Sequence, residues 1–324
     1  MRRENVCRRA TKRSLLGLCA GVVTLALASP AAAVESGEVG LSFLKIGVGA
    51  RAAGMGEAYV AVAQDPTSMY WNPSGIASAP GNEVHASHNE WISDVRYEWL
   101  AAVHGMRGHA VGVHVGLLHM GDIEGRDASG NFTENFQAYD FTAGVTYAYR
   151  ILRSLEIGGT GKVLYERIQD ERATGFAVDL GARYRTPVRG LVLAATATNL
   201  GTPMTFVDDE FVLPFQVRGG AAYRTRAVLA GLILAADLRL PNDSDAKTHL
   251  GVELWPHEMV ALRGGVKSGY DEEAGAFGVG IKYREYQFDY AYAPFSDTSE
   301  LGDTHRVSFG WRPGSAGNGG VNGN

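Results

Sequence analysis

The sequence predicts an all-β transmembrane barrel of the outer membrane, with about fourteen antiparallel strands. Three observations carry this expectation. An export leader opens the chain. Two-residue alternation then fills most of residues 83–312. The breaks between alternating segments are by turns short and long. Composition agrees: 324 residues carry 42 Gly and 31 aromatic rings, with a mean hydropathy of −0.09. That hydropathy excludes a bundle of membrane helices, and 11 Pro are too few for a disordered Pro/Gly chain.

The leader comes first. Arg2, Arg3, Arg8, Arg9, Lys12 and Arg13 form a basic start, and Ser14 to Ala28 is apolar. Ser29-Pro30-Ala31-Ala32-Ala33 supplies a break and a small-residue cleavage site, so residues 1–33 read as a Sec-type signal peptide. The apolar run is short of the ~20 residues of a spanning helix. Lipoprotein processing at Cys19 is disfavoured by Leu18 and by an apolar region that follows the cysteine. Cleavage removes six basic residues and Glu4, leaving 24 basic and 34 acidic groups and a net charge of −10. Such a chain has no basic surface for a nucleic acid. Cys7 and Cys19 leave with the leader, which excludes disulfides, thiolate metal sites and a cysteine nucleophile from the remainder.

From residue 83 onward, apolar and polar residues alternate. Phe176, Val178, Leu180 and Tyr184 oppose Asp179 and Arg183; Phe277, Val279, Ile281 and Tyr283 oppose Gly278, Gly280, Lys282 and Arg284. Period two places each set on one face of a strand. Fourteen segments follow this pattern: 83–90, 97–104, 109–120, 138–150, 154–167, 174–185, 189–199, 213–224, 227–238, 247–255, 258–267, 274–284, 286–294 and 304–312. A spanning β-strand needs about 9–11 residues. Six short connections interleave with seven longer ones (91–96, 121–137, 168–173, 200–212, 239–246, 268–273, 295–303), as an up-and-down barrel with both ends on one side requires. Tyr147, Tyr149, Tyr184, Tyr223, Tyr283, Tyr292 and Trp311 lie near strand ends, where an interfacial girdle is expected. Charged strand residues occupy the parity opposite the apolar set, making Asp179, Arg183, Arg218 and Arg263 candidate lumen charges. Residues 313–324 form a Gly/Asn-rich tail.

Residues 34–82 do not alternate. Gly47 to Ala58 is small and Gly-rich but lacks G-x-G-x-x-G and a following βαβ unit, so a phosphate loop is not indicated. Backbone packed in a confined space explains such residues better. Gly49-Ala-Arg51-Ala-Ala-Gly54-Met-Gly56-Glu57 runs into Asp65-Pro66 and Trp71-Asn72-Pro73-Ser74-Gly75-Ile76-Ala77. Over residues 40–80 the chain resembles the N-terminal signature of the PorV/PorQ family of outer-membrane proteins, which is similar to FadL-type barrels. The resemblance implies that residues 34–82 fold as a hatch or plug within a barrel spanning 83–312. Asp65, Trp71, Asn72 and Pro73 would lie in that hatch. It also implies one of two roles: a type IX-like secretion component that receives secreted cargo and passes it to secretion machinery, or a passive transporter of a hydrophobic small molecule. The remaining partner would be outer-membrane lipid. Arg51, Glu57 and Asp65 are candidates to pair with the lumen charges.

No enzyme motif appears, and no cofactor or metal is expected. His109 and His119 are about 33 Å apart along an extended strand at ~3.3 Å per residue, and His114 faces the other way. His85 and His88 also have opposite parity. Asp208-Asp209-Glu210 and Asp271-Glu272-Glu273 lack the spacing of an EF-hand and read as solvated loops.

Overall fold

A computed structural model of the chain describes residues 39–314, apart from 92–94, 122, 128, 226–230, 271–273 and 296–302. The expected leader, most of the tail and the acidic run Asp271–Glu273 therefore lie outside the described residues.

Fourteen antiparallel strands close into one barrel. They are β1 (Asn82–Glu90), β2 (Arg96–Met106), β3 (His109–His119), β4 (Ala138–Leu152), β5 (Leu155–Ile168), β6 (Glu171–Arg185) and β7 (Leu191–Gly201). The second half comprises β8 (Gln216–Thr225), β9 (Gly231–Pro241), β10 (Lys247–His257), β11 (Val260–Ser268), β12 (Gly275–Tyr283), β13 (Tyr286–Ala293) and β14 (Thr304–Trp311). Each strand pairs with its sequence neighbour, and β14 closes on β1 with Val84 opposite Trp311 and Glu90 opposite His305. Closure leaves no unpaired edge, which is what lets a β-structure cross hydrocarbon. Each of the fourteen alternating segments coincides with one strand, to within a few residues at the ends.

One connection differs from the sequence expectation. The break at 168–173, expected to be a longer loop, is the two-residue turn Gln169–Asp170, with Gln169 in the left-handed region at φ 55°. Here β4, β5 and β6, at 15, 14 and 15 residues, project past the rim as an extended sheet. Two of the long loops carry small hairpins, Ile123–Arg126 with Phe132–Phe136 and Met204–Phe206 with Asp209–Phe211. Asp208, Asp209 and Glu210 sit at the exposed tip of the second.

The two faces of the wall divide as alternation requires. Val178, Leu180, Val279 and Ile281 are outward and exposed, as are Leu100, Val113, Val145, Leu234 and Phe288. Their inward neighbours Asp179, Arg183 and Asp289 are buried. An exposed apolar belt around a closed barrel is the lipid face of a membrane-spanning wall. Of the expected girdle, Tyr147, Tyr149, Tyr184, Tyr223, Tyr283 and Trp311 gather at the short-turn rim, joined by Tyr286. Tyr292 belongs to the opposite rim, where its hydroxyl donates to Asp303 at 2.6 Å.

Replacing Val279 by Arg at this lipid face should cost roughly 2–4 kcal/mol near the midplane. By parity, Ser at its inward neighbour Gly278 should be milder. It is not free of cost: a Cβ at Gly278 would stand 3.0 Å from the Gly54 Cα and 3.2 Å from the Tyr290 carbonyl oxygen. Both substitutions should therefore lower the urea midpoint of the folded band on unheated gels. Val279→Leu should leave it unchanged, and an equal loss with Leu would refute the lipid-face assignment.

Candidate functional site

Residues Leu41–Ala79 precede β1 and fold as short pieces. These are a 3-10 turn at Ser42–Lys45, α1 (Ala50–Gly54), α2 (Ser68–Trp71) and a second 3-10 turn at Pro73–Ser78. The breaks are written in the residues. Gly49 and Gly56 hold φ of 84° and 60°, open to glycine without strain, and Glu57 follows at 63°. Asn72 ends α2, and its side chain accepts from the Ser74 amide, while Pro73 opens the next turn. Ala52–Ala63 and Trp71–Ala77 are buried throughout.

Small residues let this segment meet the wall backbone to backbone. A Cβ on Gly56 would lie 2.8 Å from the Val266 amide of β11, and one on Gly54 would lie 2.9 Å from the Gly278 Cα of β12. On the other side, Gly158 of β5 leaves room for Pro73 and Ser74, and Gly181 of β6 leaves room for Asn72. Within the segment, Gly75 packs on Ser68, whose Cβ would be 2.9 Å from an added Cβ.

Polar anchors tie the segment to strands β5, β6, β8, β9, β10, β11 and β14 of the wall. Arg51 forks onto Glu253 of β10 with two bonds of 2.7 Å, and Glu253 also takes Nε of Arg263 at 2.7 Å. Arg263 continues to Asp289 at 2.8 Å. Glu57 lies 3.3 Å from Arg306 and 3.4 Å from Lys267. Asp237 of β9 accepts from the amides of Tyr59 and Val60 at 2.7 and 2.9 Å. Arg183 donates to the Ala61 carbonyl at 3.3 Å and pairs with Glu156, which also receives Ser78, Arg150 and Arg185. Asn72 donates to the carbonyls of Val60 and Ala182, both at 3.2 Å. The Trp71 indole donates to Val48 at 2.9 Å, and Arg218 lies 4.9 Å from its ring.

These pairs fix the charge states of the segment. Burial alone would raise the Glu57 carboxyl, but Lys267 and then Arg306 overcome it and hold the group well below the usual carboxylate range. Burial likewise opposes ionisation of Asp65, and Arg51, His85 and the hydroxyls of Thr67 and Tyr59 outweigh it, so its pKa is lowered. Folded-state values below unfolded ones stabilise fully above the unfolded pKa, about 4, and lose that contribution as pH falls toward the folded value. Stability contributed by these two groups should therefore be flat from pH 8 to about 5 and decline only in stronger acid. A decline already between pH 8 and 6 in a urea titration would contradict the pairing.

The sequence-derived candidates divide accordingly. Arg51, Glu57, Asp65, Trp71, Asn72 and Pro73, with Gly49, Gly54, Gly56 and Gly75, all fall in the inner segment. Arg183 and Arg218 touch it directly, and Arg263 reaches it through Glu253. Asp179 does not: it pairs with Lys162 at 2.8 Å and caps the Asn199 amide of β7 at a bulge. The expected pairing of Arg51, Glu57 and Asp65 with those four charges is thus replaced by Glu253, Arg306 and Lys267, while Asp65 pairs within the segment. Glu156, Asp237, Glu253, Lys267 and Arg306 all have the inward parity and were legible by it. Which of them meets the segment depends on strand stagger, which parity does not report.

One part of the interior under the long loops is apolar. Leu41, Phe43, Leu44, Tyr97, Leu118, Leu164, Met204 and Leu213 pack as one buried cluster. Beside it lies a small cavity bordered by Tyr70, Tyr97, Trp99 and His114 and by the polar Thr142, Lys162, Asp179, Thr198, Asn199 and Gln216.

Three comparisons bear on this architecture. No curated relative matches the chain in sequence. Among solved structures, the Pseudomonas putida toluene transporter TodX superposes with a TM-score of 0.62 at 12% identity, covering 82% of this chain and 96% of that one. The Ralstonia pickettii toluene transporter TbuX gives 0.60 at 14% identity, covering 82% and 98%. A Pseudomonas aeruginosa FadL homologue gives 0.55 at 9% identity, covering 82% and 98%. At these identities the likeness establishes the fold, a FadL-like barrel. Residues 18–188, more than half the sequence, match the model of a family described as Uncharacterised protein family (UPF0164). They include the whole inner segment and the first six strands, and the chain is a member of the UPF0164 family.

Proposed function

We propose that this protein is an outer-membrane transporter of a hydrophobic small molecule, with residues 41–79 as the hatch of its barrel. The observation that carries the reading is the buried apolar cluster under the long loops. Phe43, Leu44, Tyr97, Leu118, Met204 and Leu213 give an apolar solute a place to leave water, and a lumen meant for ions would have no use for them. The likeness to toluene transporters supports the same reading. Residues 40–80 still resemble PorV/PorQ, and a cargo-shuttle role in secretion rests on that resemblance alone, whereas the structural neighbours are small-molecule transporters and channels.

Uptake decides between the two. Expression in the outer membrane of a host lacking such transporters should accelerate entry of labelled toluene several-fold, and Met204→Glu should abolish the gain. Unchanged uptake, together with co-purification of exported proteins from solubilised outer membranes, would overturn the transport reading in favour of secretion.

A further inference from the structure

The cavity beside the apolar cluster is lined by hydrogen-bonding groups that the protein leaves unused. His114 Nδ1 of β3, Thr142 Oγ1 of β4 and Thr198 Oγ1 of β7 have no hydrogen-bond partner in the protein. The three residues are only 6%, 3% and 5% exposed. Burying a polar group is unfavourable unless it is hydrogen-bonded. The charges near the cavity are already engaged. Lys162 pairs with Asp179 at 2.8 Å and donates to Asn199 at 2.6 Å, and Arg218 lies over the Trp71 ring at 4.9 Å. The apolar share of the lining, Leu44, Met69, Tyr97 and Trp99, runs into the buried cluster. Such a site fits an apolar body with one neutral polar end.

A second observation concerns charge at the outer end of the cluster. Asp140 of β4 and Glu166 of β5 are register partners of inward parity. Leu118 of β3 stands opposite Asp140, with Tyr97 of β2 beyond it, and Ala173 of β6 stands opposite Glu166. Those three belong to the apolar cluster. The carboxyls lie two residues, about 7 Å, on the long-loop side of Thr142 and Leu164. No ion pair or hydrogen bond engages either carboxyl among the described residues. Burial and then Glu166 push Asp140 up to about 7, and burial raises Glu166 as well. His119, Tyr139, Tyr165, Arg167 and Arg172 have the outward parity, while Asp170, Glu171 and Glu134 at the adjoining turn add only negative charge.

Two uncompensated carboxylates repel an anionic head and leave a neutral one unaffected. Repulsion of this kind is a usual source of selectivity. We propose that the solute is an uncharged amphiphile of the alcohol or phenol class whose polar end occupies the cavity, and that Asp140 and Glu166 reject its anionic counterparts. This names the solute for the transport reading and rests on it.

The test reads binding instead of uptake. The full chain, in nanodiscs of zwitterionic lipid, is dialysed against labelled octanol or labelled octanesulfonate, and empty nanodiscs are subtracted. The two ligands share a chain, and the sulfonate keeps its charge at every pH used. At pH 8 octanol should bind saturably, and the sulfonate about tenfold or more weakly. Asp140→Asn combined with Glu166→Gln should narrow the gap to about threefold or less. Lowering the pH to 6 should narrow it in the wild type alone, because the variant has lost both titrating groups. Thr142→Val removes an unpartnered hydroxyl at nearly constant shape, so the melting temperature should not fall, and octanol should bind about three- to tenfold more weakly. Thr198→Val should behave alike and stands in if the first variant does not fold. Equal binding of both ligands by the wild type would overturn the filter. Undiminished octanol binding in both Thr variants would show a cavity that holds water only and would overturn the site. No saturable binding of either ligand would overturn both. Binding as expected without accelerated uptake supports the site and the filter and overturns the transport reading.

Discussion

Glu253→Ala is expected to destabilise the barrel by about 3–5 kcal/mol, the loss typical of breaking a buried ion pair from one side. Glu253 is fully buried and receives three charged hydrogen bonds of 2.7 Å, two from Arg51 and one from Arg263. Removing it leaves the enclosed Arg263 with Asp289, and the partly enclosed Arg51 with Asp65 at 3.4 Å and the Tyr59 ring at 5.5 Å. Glu253→Gln preserves the shape but not the charge, and should fall between Ala and wild type. The exposed pair of Glu124 with Arg126 provides the contrast, because Glu124→Ala should cost less than about 1 kcal/mol. Urea midpoints of the folded gel band measure all three. Equal midpoints for the two Ala variants would show that Glu253 does not hold the inner segment to the wall.

Asn72→Ala is expected to release the inner segment from β6 at a cost of roughly 2–4 kcal/mol, counting about 1 kcal/mol for each of four hydrogen bonds. Its amide nitrogen donates to Val60 and Ala182, while its oxygen accepts from the amide and hydroxyl of Ser74 at 3.2 and 2.7 Å. Every partner is inside the protein, so water does not readily replace what is lost. Asn72→Asp should be at least as damaging, because it turns a donor facing two carbonyls into a third acceptor. Hydrogen exchange at the Ser74 amide, which loses its acceptor, should quicken in Asn72→Ala. Unchanged protection would show that the side chain is dispensable to the segment.

The wall was legible because alternation is a local property. Each strand from β1 to β14 buries one face against the lumen and turns the other to lipid, and ten residues are enough to display it. The hairpin Gln169–Asp170 was misjudged because β5 and β6 extend beyond the rim, where lipid no longer enforces the pattern. The inner segment was legible in kind through its small residues and through Asn72-Pro73, which set a turn by local chemistry. Its partners were not. Arg51 finds Glu253, and Glu57 finds Arg306 and Lys267, across about 200 or more residues of sequence, and strand stagger decides which inward charge stands at the segment's level. Gly278 shows the same limit: parity reveals that it faces inward but not that Gly54 already occupies the space.

The measurement that bears most directly on the molecule is single-channel conductance in planar bilayers, for the wild type and for the chain lacking residues 41–77. A barrel of fourteen strands is too wide for wall side chains alone to fill, and residues Ala52–Ala63 and Trp71–Ala77 are the buried contents described against its inner face. With the segment as hatch, the wild type should show at most brief, small openings, and the deletion should insert and conduct steadily, with large open steps. A wild type that already conducts like an open pore, with no change on deletion, would contradict it.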